Sequence, residues 1–310
     1  MNKIPLIVVA GPTASGKTRL AVEIAKRYNG EVVSADSMQI YKYMNIGTAK
    51  PTEEEMDGIA HHMLDIVSPD EPFSVAQYAQ LAHSVIRSIH TAGKLPVMAG
   101  GTGLYIDNVV QNLQLAETQT DFALRDRLTA LAQEKGNLYL HETLRAVDPE
   151  AADAIHPGNV RRVVRALEVF YTTGDTFTNQ NKNSKTEESP YHTIMMMPDW
   201  DRAVLYQRIG TRVECMMQDG LMEEFFGLVK MGYSKKLNAM QAIGYKELFD
   251  YYYGLCGLEE AVELIKRHSR RYAKRQLTWF RRYSDMIRLD ATQNLEAQCF
   301  AEIDDWLKTV

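Results

Sequence analysis

The sequence predicts an α/β fold, in which a parallel sheet core is covered by helices and is joined to an inserted helical domain and C-terminal helices. Three observations carry this prediction. The apolar segment 4–10 leads directly into the glycine-rich segment 11–18. Short apolar segments then alternate with helical patterns up to about residue 110, as is typical of a parallel sheet with helices on both faces. From about residue 116 the pattern becomes helical.

Residues 11–18 match the phosphate-binding P-loop pattern G-x-x-x-x-G-K-[ST] between a predicted strand and a predicted helix. The matching residues are Gly11, Pro12, Thr13, Ala14, Ser15, Gly16, Lys17 and Thr18. In such a loop the amides surround an anion, Lys17 reaches the terminal phosphates and the Thr18 hydroxyl binds Mg²⁺. The motif therefore predicts binding of a polyphosphate or diphosphate and leaves open which one. The alternative is an ordinary glycine turn.

The first 110 residues contain elements that alternate in the order expected of a parallel sheet. The predicted strands are 6–10, 31–35 and 95–99, and the predicted helices are 17–27 and 75–91. Ligands bind at the carboxyl ends of parallel strands, where the P-loop, Asp36 and Thr102 fall. Asp36 could hold Mg²⁺ through water, accept a proton or cap a turn. The segment Gly100–Gly103 is a weak ligand signal, because a plain turn has the same composition.

The second part of the chain is predicted to be mainly helical. The predicted helices are 121–134, 138–146, 160–171 with Asn159 as N-cap, 201–217, 220–231 and 258–282. The polar segment 172–189 is predicted to be a loop, and residues 193–197 a strand that returns to the sheet. We therefore divide the chain into a core of residues 1–115 and 196–310 and a helical insertion of residues 116–195.

Composition favours a soluble globular protein, with 45% hydrophobic and 24% charged residues. The apolar run 4–10 is far shorter than the roughly 20 residues of a membrane span, so no membrane association is expected. Cys215, Cys256 and Cys299 lack paired spacing, which argues against a zinc knuckle or disulfides and favours a reducing cytoplasm. The pair His61–His62 lacks a third ligand at fixed spacing and is interpreted as structural.

Charge is unevenly distributed along the chain. Residues 266–288 contain nine Lys or Arg and one acid, a net charge of +8. Because the whole chain carries −5, the remainder carries −13. This distribution favours a polyanion-binding face, with a solvated helix face as the alternative. Within it, Lys274 and Arg275 precede Trp279 and Phe280, a mixture that suits phosphate contact and base stacking, although the aromatic residues could equally be core anchors.

Several segments together resemble the bacterial tRNA dimethylallyltransferase family. They are 11–18, 36–41 (DSMQIY), 46–51 (IGTAKP), 100–105 (GGTGLY), 162–169, 241–247 and 275–281, in order over nearly the whole chain. The resemblance implies a P-loop NTPase-like core with a helical insertion that contacts the anticodon stem-loop. It also implies transfer of a dimethylallyl group from its diphosphate to the exocyclic amine of the adenosine just 3′ of the anticodon. Mg²⁺ as cofactor and a monomeric state are expected.

The resemblance also implies the site residues. Asp36 would be the catalytic base, and Arg208 and Thr18 would assist departure of the diphosphate held by residues 11–18. The residues implied to bind tRNA are Asp36, Ser37, Met38, Gln39, Thr102, Arg125, Arg161, Arg162, Val163, Val164, Arg165, Gln241, Ala242, Ile243, Gly244, Tyr245, Lys246, Lys274, Arg275, Gln276, Leu277, Thr278, Trp279, Phe280 and Arg281. The chain departs from the family at Tyr43 and Asn45, where Gly and Asp are usual, and at Gly158, where Asn is usual.

Three other functions have some of the same features. A P-loop kinase of a small metabolite would have no use for the segment of net charge +8, and an RNA-binding NTPase without transferase activity would not need Asp36 at the end of a strand. An adenylate isopentenyltransferase shares the chemistry with a free nucleotide as acceptor. The helical insertion and the basic segment argue against an adenylate isopentenyltransferase.

Overall fold

The computed structural model describes residues 3–114, 121–184 and 188–309. The chain forms two compact units. The larger contains residues up to Val110 and from Ser189 onward, and the smaller contains Gln111–Glu188. The smaller unit thus begins and ends several residues before the predicted insertion, 116–195.

The larger unit contains a six-stranded sheet. Its strands are β1 (Ile4–Ala10), β2 (Gly30–Ser34), β3 (His61–His62), β4 (Leu95–Gly100), β5 (Tyr191–Asp199) and β6 (Ile287–Asp290). The strand order is β3-β2-β4-β1-β5-β6, and all neighbouring pairs are parallel. The predicted α/β class with a parallel sheet is confirmed. β5 contains the predicted strand 193–197, which therefore belongs to the sheet and not to the helical unit.

Fourteen helices are seen in the described parts of the chain. They are α1 (Lys17–Arg27), α2 (Glu53–Met56), α3 (Val75–Thr91), α4 (Gly103–Val110), α5 (Phe122–Lys135), α6 (Asn137–Val147), α7 (Pro149–Ala154), α8 (Val160–Thr173), α9 (Phe177–Asn183), α10 (Arg202–Gln218), α11 (Leu221–Lys230), α12 (Tyr245–Tyr252), α13 (Leu258–Phe280) and α14 (Leu295–Trp306). α5 to α9 make up the smaller unit. α13 ends two residues before the predicted Arg282, and the sequence did not predict α2, α4, α7, α9, α12 or α14.

Strand β1 lies at the centre of the sheet and has a core on both faces. Leu6 and Val8 pack with α3, α4, α11 and α12, whereas Ile7 and Val9 pack with α1 and α14. All four side chains are fully buried. A strand that is covered on both faces needs an apolar side chain at every position, which explains the continuous run before the P-loop.

The smaller unit has its own core, formed by α5 to α8. Asn159 caps α8 by accepting a hydrogen bond from Arg162 N, as predicted. The predicted loop 172–189 is wrong in part, because residues 177–183 are helical. Thr176 caps this helix and Phe177 packs against the core, so capping and burial outweigh the polar composition. Residues 185–187 lie outside the described parts.

Across residues 3–114, 121–184 and 188–309, we find no helix that is both long and apolar enough to cross a membrane.

Candidate active site

Four adjacent strands place polar loops at one edge of the sheet. β2, β4, β1 and β5 are neighbours in this order. Asp36 follows the carboxyl end of β2, Thr102 that of β4, the P-loop that of β1 and Trp200 that of β5. Hydrogen bonds join these loops: Thr102 N donates to Ala35 O at 3.0 Å, and Ser37 N donates to Thr102 Oγ1 at 2.9 Å. The crevice predicted from the sequence is therefore present, with all three predicted features in it.

The P-loop has the backbone conformation of an anion-binding loop. Gly16 is the N-cap of α1 with a φ of 90°, which a glycine adopts without strain, and Ala14 also has a positive φ of 62°. The Ser15 hydroxyl is buried and has no hydrogen-bond partner among the described residues. A buried polar atom without a partner is costly, and a phosphate oxygen would supply one. The loop geometry therefore fits the predicted diphosphate site.

Lys17 is the first residue of α1, and its ammonium donates to Pro12 O at 3.3 Å. Burial, assisted by the positive charge of Arg212 and opposed by Asp36, lowers the pKa of Lys17 to about 8. The interaction with Asp36 shows that the carboxylate lies within the electrostatic field of the P-loop lysine. An ammonium whose charged form is disfavoured by burial, despite the nearby Asp36, is prepared to bind a further anion.

A cavity of about 930 Å³ opens beside the P-loop. Its lining includes Lys17, Thr18, Arg208 and Arg212, together with residues of the segment 45–55. The cavity therefore brings several cationic side chains to the place where the sequence predicts a diphosphate.

Arg208 contacts the P-loop directly. Its Nε donates to Ala14 O at 2.9 Å, and its guanidinium stacks on Trp200 at 4.3 Å from the ring centroid. Trp200 in turn donates its indole N–H to Ser15 O at 2.9 Å. The predicted site residue Arg208 is thus held against the phosphate loop by two neighbours.

Arg212 is a cavity residue that the sequence analysis missed. It lies four residues after Arg208 on α10, on the same helix face, and that spacing was the available signal. Burial lowers the pKa of its guanidinium, although Glu55 and Asp36 oppose this effect. Together with Lys17 and Arg208 it makes the cavity electropositive, because five cationic side chains line it against two carboxylates.

Asp36 is half-buried at the end of β2. Its Oδ1 accepts a hydrogen bond from Met38 N at 2.9 Å, so the turn-capping role considered from the sequence is present. Capping occupies one carboxylate oxygen and is compatible with a second role for the other. The neighbouring Thr102 hydroxyl donates to Ser37 Oγ at 3.3 Å.

Gln276 joins the two glycine loops. Its Oε1 accepts from Thr13 N at 3.0 Å, and its Nε2 donates to Gly101 O at 2.8 Å. The side chain is buried, with 5% of its surface exposed. The expectation that Gln276 binds tRNA is therefore corrected for its side chain, whose amide is already used to hold the P-loop against the loop after β4.

Other residues expected to bind tRNA also turn their side chains inward. Val163, Val164, Ala242, Tyr245 and Phe280 are buried in hydrophobic cores. The Gln39 amide is used within its own loop, where it donates to Thr48 O and Ala49 O. The five buried side chains stabilise the elements that carry the site and have no surface to offer to RNA, whereas Gln39 is half-buried. The open alternative for Phe280, a core anchor, is confirmed.

The arginines of the smaller unit divide into two groups. Arg125 and Arg165 both bind the fully buried Glu168, at 2.9 Å and 2.6 Å, whereas Arg161 and Arg162 are exposed. Burial raises the pKa of Glu168, but the hydrogen bonds from the two arginines outweigh it and leave that pKa below its usual value. Arg125 and Arg165 thus have a structural partner.

The basic segment 266–288 is divided between α13, a turn and β6. Three of its cations form local ion pairs: Lys266 with Glu214 and Glu263, Arg282 with Asp107, and Arg288 with Asp199. Lys274, Arg275 and Arg281 are exposed. The guanidinium of Arg282 also covers one face of the Trp279 ring, at 4.0 Å from its centroid.

Two of the departures from the family have a visible structural setting. Tyr43 has a φ of 67°, a conformation that costs a side-chain-bearing residue about 1 to 2 kcal/mol and that glycine tolerates. The Asn45 side chain accepts a hydrogen bond from the Lys50 ammonium at 2.8 Å. Gly158 N donates to the His156 ring at 3.0 Å, and nothing in the structure explains why glycine stands there.

The pair His61–His62 forms the short edge strand β3. His62 contacts Glu31 at 2.6 Å, and Glu31 also pairs with Lys94. This carboxylate joins the edge strand to the residue that precedes β4, in agreement with the structural interpretation.

The family model of the IPP transferases matches residues 39–283 of the chain. A protein of Acetivibrio thermocellus named tRNA dimethylallyltransferase is 52% identical over 281 residues, which cover 91% of this chain and 90% of that protein. A protein of Bacillus pumilus with the same name is 50% identical over 291 residues, covering 94% and 91%.

Two solved structures are similar over nearly the whole chain. A full-length tRNA isopentenylpyrophosphate transferase from Bacillus halodurans has a TM-score of 0.73 and 44% identity, covering 99% of this chain and 96% of that one. A eukaryotic dimethylallyltransferase, described as acting on tRNA, has a TM-score of 0.82 and 28% identity, covering 99% and 80%.

Proposed function

This chain belongs to the IPP transferase family, and from that premise we propose that it is a tRNA dimethylallyltransferase. It transfers the dimethylallyl group of dimethylallyl diphosphate to the exocyclic amine of the adenosine immediately 3′ of the anticodon and releases diphosphate. The observation that carries the proposal is the junction of a diphosphate-binding loop, an electropositive cavity and Asp36 at one edge of the sheet. Activity in the cytoplasm, as a monomer, is part of the proposal.

The adenosine amine is a weak nucleophile because its lone pair is delocalised into the ring. In the proposed reaction the amine nitrogen forms a bond to the first carbon of the dimethylallyl group, and the bond from that carbon to the diphosphate oxygen breaks. The electron pair leaves with the diphosphate, and the amine proton passes to the Asp36 carboxylate. Thr102, which is hydrogen-bonded to Ser37 next to Asp36, orients the nucleoside.

The leaving group is stabilised by the P-loop amides and by Lys17, Arg208 and Arg212, all of which line or contact the same cavity. The cavity lining contains the Thr18 hydroxyl and the carboxylates of Glu55 and Asp219, and oxygen donors of this kind are the ones that Mg²⁺ prefers; Thr18 would hold the ion. Bound Mg²⁺ would neutralise negative charge on the diphosphate. The unpartnered Ser15 hydroxyl supports an anionic ligand at this loop.

The tRNA would be bound by the exposed cations of both units. The exposed Arg161 and Arg162 of the smaller unit support contact with the anticodon stem-loop, and Lys274 and Arg275 of α13 support a second phosphate contact. The target adenosine leaves the anticodon stack to reach the crevice, which costs a few kcal/mol and is least costly in a loop.

The kinase and adenylate isopentenyltransferase alternatives are not favoured, since the similar proteins are named for action on tRNA. One assay separates the proposed function from both alternatives. The protein is incubated with Mg²⁺, labelled dimethylallyl diphosphate and either total tRNA or AMP. We expect label in tRNA alone, at the adenosine 3′ of the anticodon. Label in AMP would support the adenylate enzyme, and no transfer to either acceptor would contradict the proposed function.

We expect tRNA affinity to fall steeply with salt, and Lys274 and Arg275 to contribute to this dependence. Neutralising Z phosphates releases counterions, which gives a log–log slope of about −0.7Z to −0.9Z. The Lys274→Ala and Arg275→Ala proteins should each lose nearly one unit of slope. The measurement is a tRNA-binding titration at several salt concentrations.

A matched control is Lys308→Ala, which removes an exposed lysine that lies outside the basic segment and pairs with Asp305. This variant should keep the wild-type slope. If the Lys274 and Arg275 variants also keep the wild-type slope and affinity, their side chains are ordinary solvated charges and tRNA is bound through other residues.

A further inference from the structure

Glu224 on α11 gathers three consecutive backbone amides of another segment. Its Oε2 accepts from Asn45 N and Ile46 N, each at 2.8 Å, and its Oε1 accepts from Gly47 N at 3.0 Å. Both carboxylate oxygens are therefore used to hold one short piece of backbone. Hydrogen bonds between amides and a carboxylate are among the stronger ones in proteins.

Tyr245 completes this arrangement. Its hydroxyl donates to Glu224 Oε1 at 2.6 Å, and its ring lies so close to Gly47 that a Cβ there would come within 2.5 Å of a ring carbon. Burial and the neighbouring Glu224 carboxylate raise the pKa of Tyr245, so the phenol stays protonated and continues to donate. Because Tyr245 is fully buried, it cannot move aside, and Gly47 has to stay a glycine.

The backbone held in this way is a wall of the electropositive cavity. Asn45, Ile46, Ala49 and Lys50 line the cavity together with Lys17 and Thr18 of the P-loop side. Within the segment, Lys50 N donates to Asn45 O, and the Lys50 ammonium donates to Tyr41 O, each at 2.9 Å. A displacement of residues 45–47 would therefore move the whole wall relative to the phosphate loop.

We propose that Glu224 is a positioning residue for the diphosphate substrate: by binding the amides of residues 45–47 it fixes the part of the cavity wall that this segment forms. This inference rests on the proposed function, since it takes dimethylallyl diphosphate as the occupant of the cavity. Glu224 acts through the loop and not on the reacting atoms. Misplacement of a substrate-contacting group by about 1 Å costs up to roughly 100-fold in rate, so a precise wall has a measurable effect.

The sharpest test is Glu224→Gln. Glutamine has nearly the same shape, but it replaces one acceptor oxygen with an NH₂ group that would face amide donors. The matched control is Glu223→Gln, which makes the same charge change at the exposed neighbour on the same helix. Binding of dimethylallyl diphosphate with Mg²⁺ is measured by calorimetry, and binding of tRNA by titration, well below the midpoint of thermal unfolding.

We expect Glu224→Gln to raise the Kd and KM for dimethylallyl diphosphate by about tenfold or more, with the tRNA Kd within twofold of wild type. The control should keep both values. Glu224→Asp, which retains the charge but withdraws the carboxylate by one methylene, should show a smaller increase in the same constant. It also serves as the test if the glutamine variant does not fold.

Wild-type affinity for dimethylallyl diphosphate in a folded glutamine or aspartate variant would overturn the inference. Equal losses of both affinities would also overturn it, because they would indicate a general structural role. Failure of the wild-type protein to bind dimethylallyl diphosphate would contradict the proposed function itself. This result is distinguishable from equal binding by wild type and variant, which contradicts only the role of Glu224.

Discussion

Replacement of Asp36 by asparagine should lower the single-turnover rate of transfer by at least about 10², because general-base catalysis contributes 10² to 10⁴. Asparagine tests the role of base more specifically than alanine does. It keeps an oxygen that can accept the hydrogen bond from Met38 N, and it removes the charge that takes up the amine proton. The turn should therefore persist, and tRNA affinity should stay close to that of wild type.

The matched control for this change is Asp70→Asn, which removes one exposed carboxylate away from the cavity. It should transfer the dimethylallyl group at the wild-type rate. Asp36→Ala should be at least as slow as Asp36→Asn, since it loses both the base and the turn contact. Near-wild-type turnover of Asp36→Asn at saturating substrates would remove Asp36 from the role of base.

The parts of the site that could be predicted are those whose function depends on residues close together in the sequence. The P-loop requires glycines, Lys17 and Thr18 at fixed spacing after a buried strand, so eight residues specify both conformation and chemistry. Asp36 and Thr102 followed from the rule that ligands bind beyond the carboxyl ends of parallel strands. The parallel sheet was predictable because strands buried on both faces show continuous apolar runs.

The rest depends on contacts between residues far apart in sequence. Gln276 binds Thr13 N across 263 positions, and Glu224 binds Gly47 N across 177. In the sequence, a glutamine beside Lys274 and Arg275 suggests a contact with nucleic acid. In the fold, the Gln276 side chain is buried inside the protein. The helix face that each residue occupies is set by packing, which the basic composition of α13 does not reveal.

Arg212 lies between these two cases. Its spacing from Arg208 put both side chains on one face of α10, and this was visible in the sequence. Only the cavity shows that this face meets the P-loop. The pKa values of Arg212 and Lys17 are lowered for the same reason: each cation is partly removed from water and lies near another cation. A diphosphate in the cavity would supply negative charge to both cations.

Lys17→Ala should reduce kcat/KM for dimethylallyl diphosphate by about 10² to 10³, since a group that stabilises developing charge is typically worth that much. The matched control is Lys26→Ala on the same helix, α1. Lys26 forms ion pairs with Glu23 and Asp57 and does not line the cavity. The Lys26→Ala variant should bind dimethylallyl diphosphate as wild type does. Equal kinetics of the two variants would contradict the assignment of Lys17.

The pH dependence of binding gives a second test of Lys17. In the unliganded protein the pKa of Lys17 is about 8, so the ammonium is charged below pH 8 and increasingly neutral above it. A bound diphosphate favours the charged form and raises this pKa, so binding takes up a proton. The Kd of wild type should therefore be nearly constant between about pH 7 and pH 8, where the diphosphate is fully ionised, and rise by about tenfold for each pH unit above pH 8, until the pKa of the complex is reached. Lys17→Ala should bind weakly at every pH and lose this rise, because the group that loses its proton is absent. If the variant shows the same rise as wild type, the titrating group is another residue of the cavity.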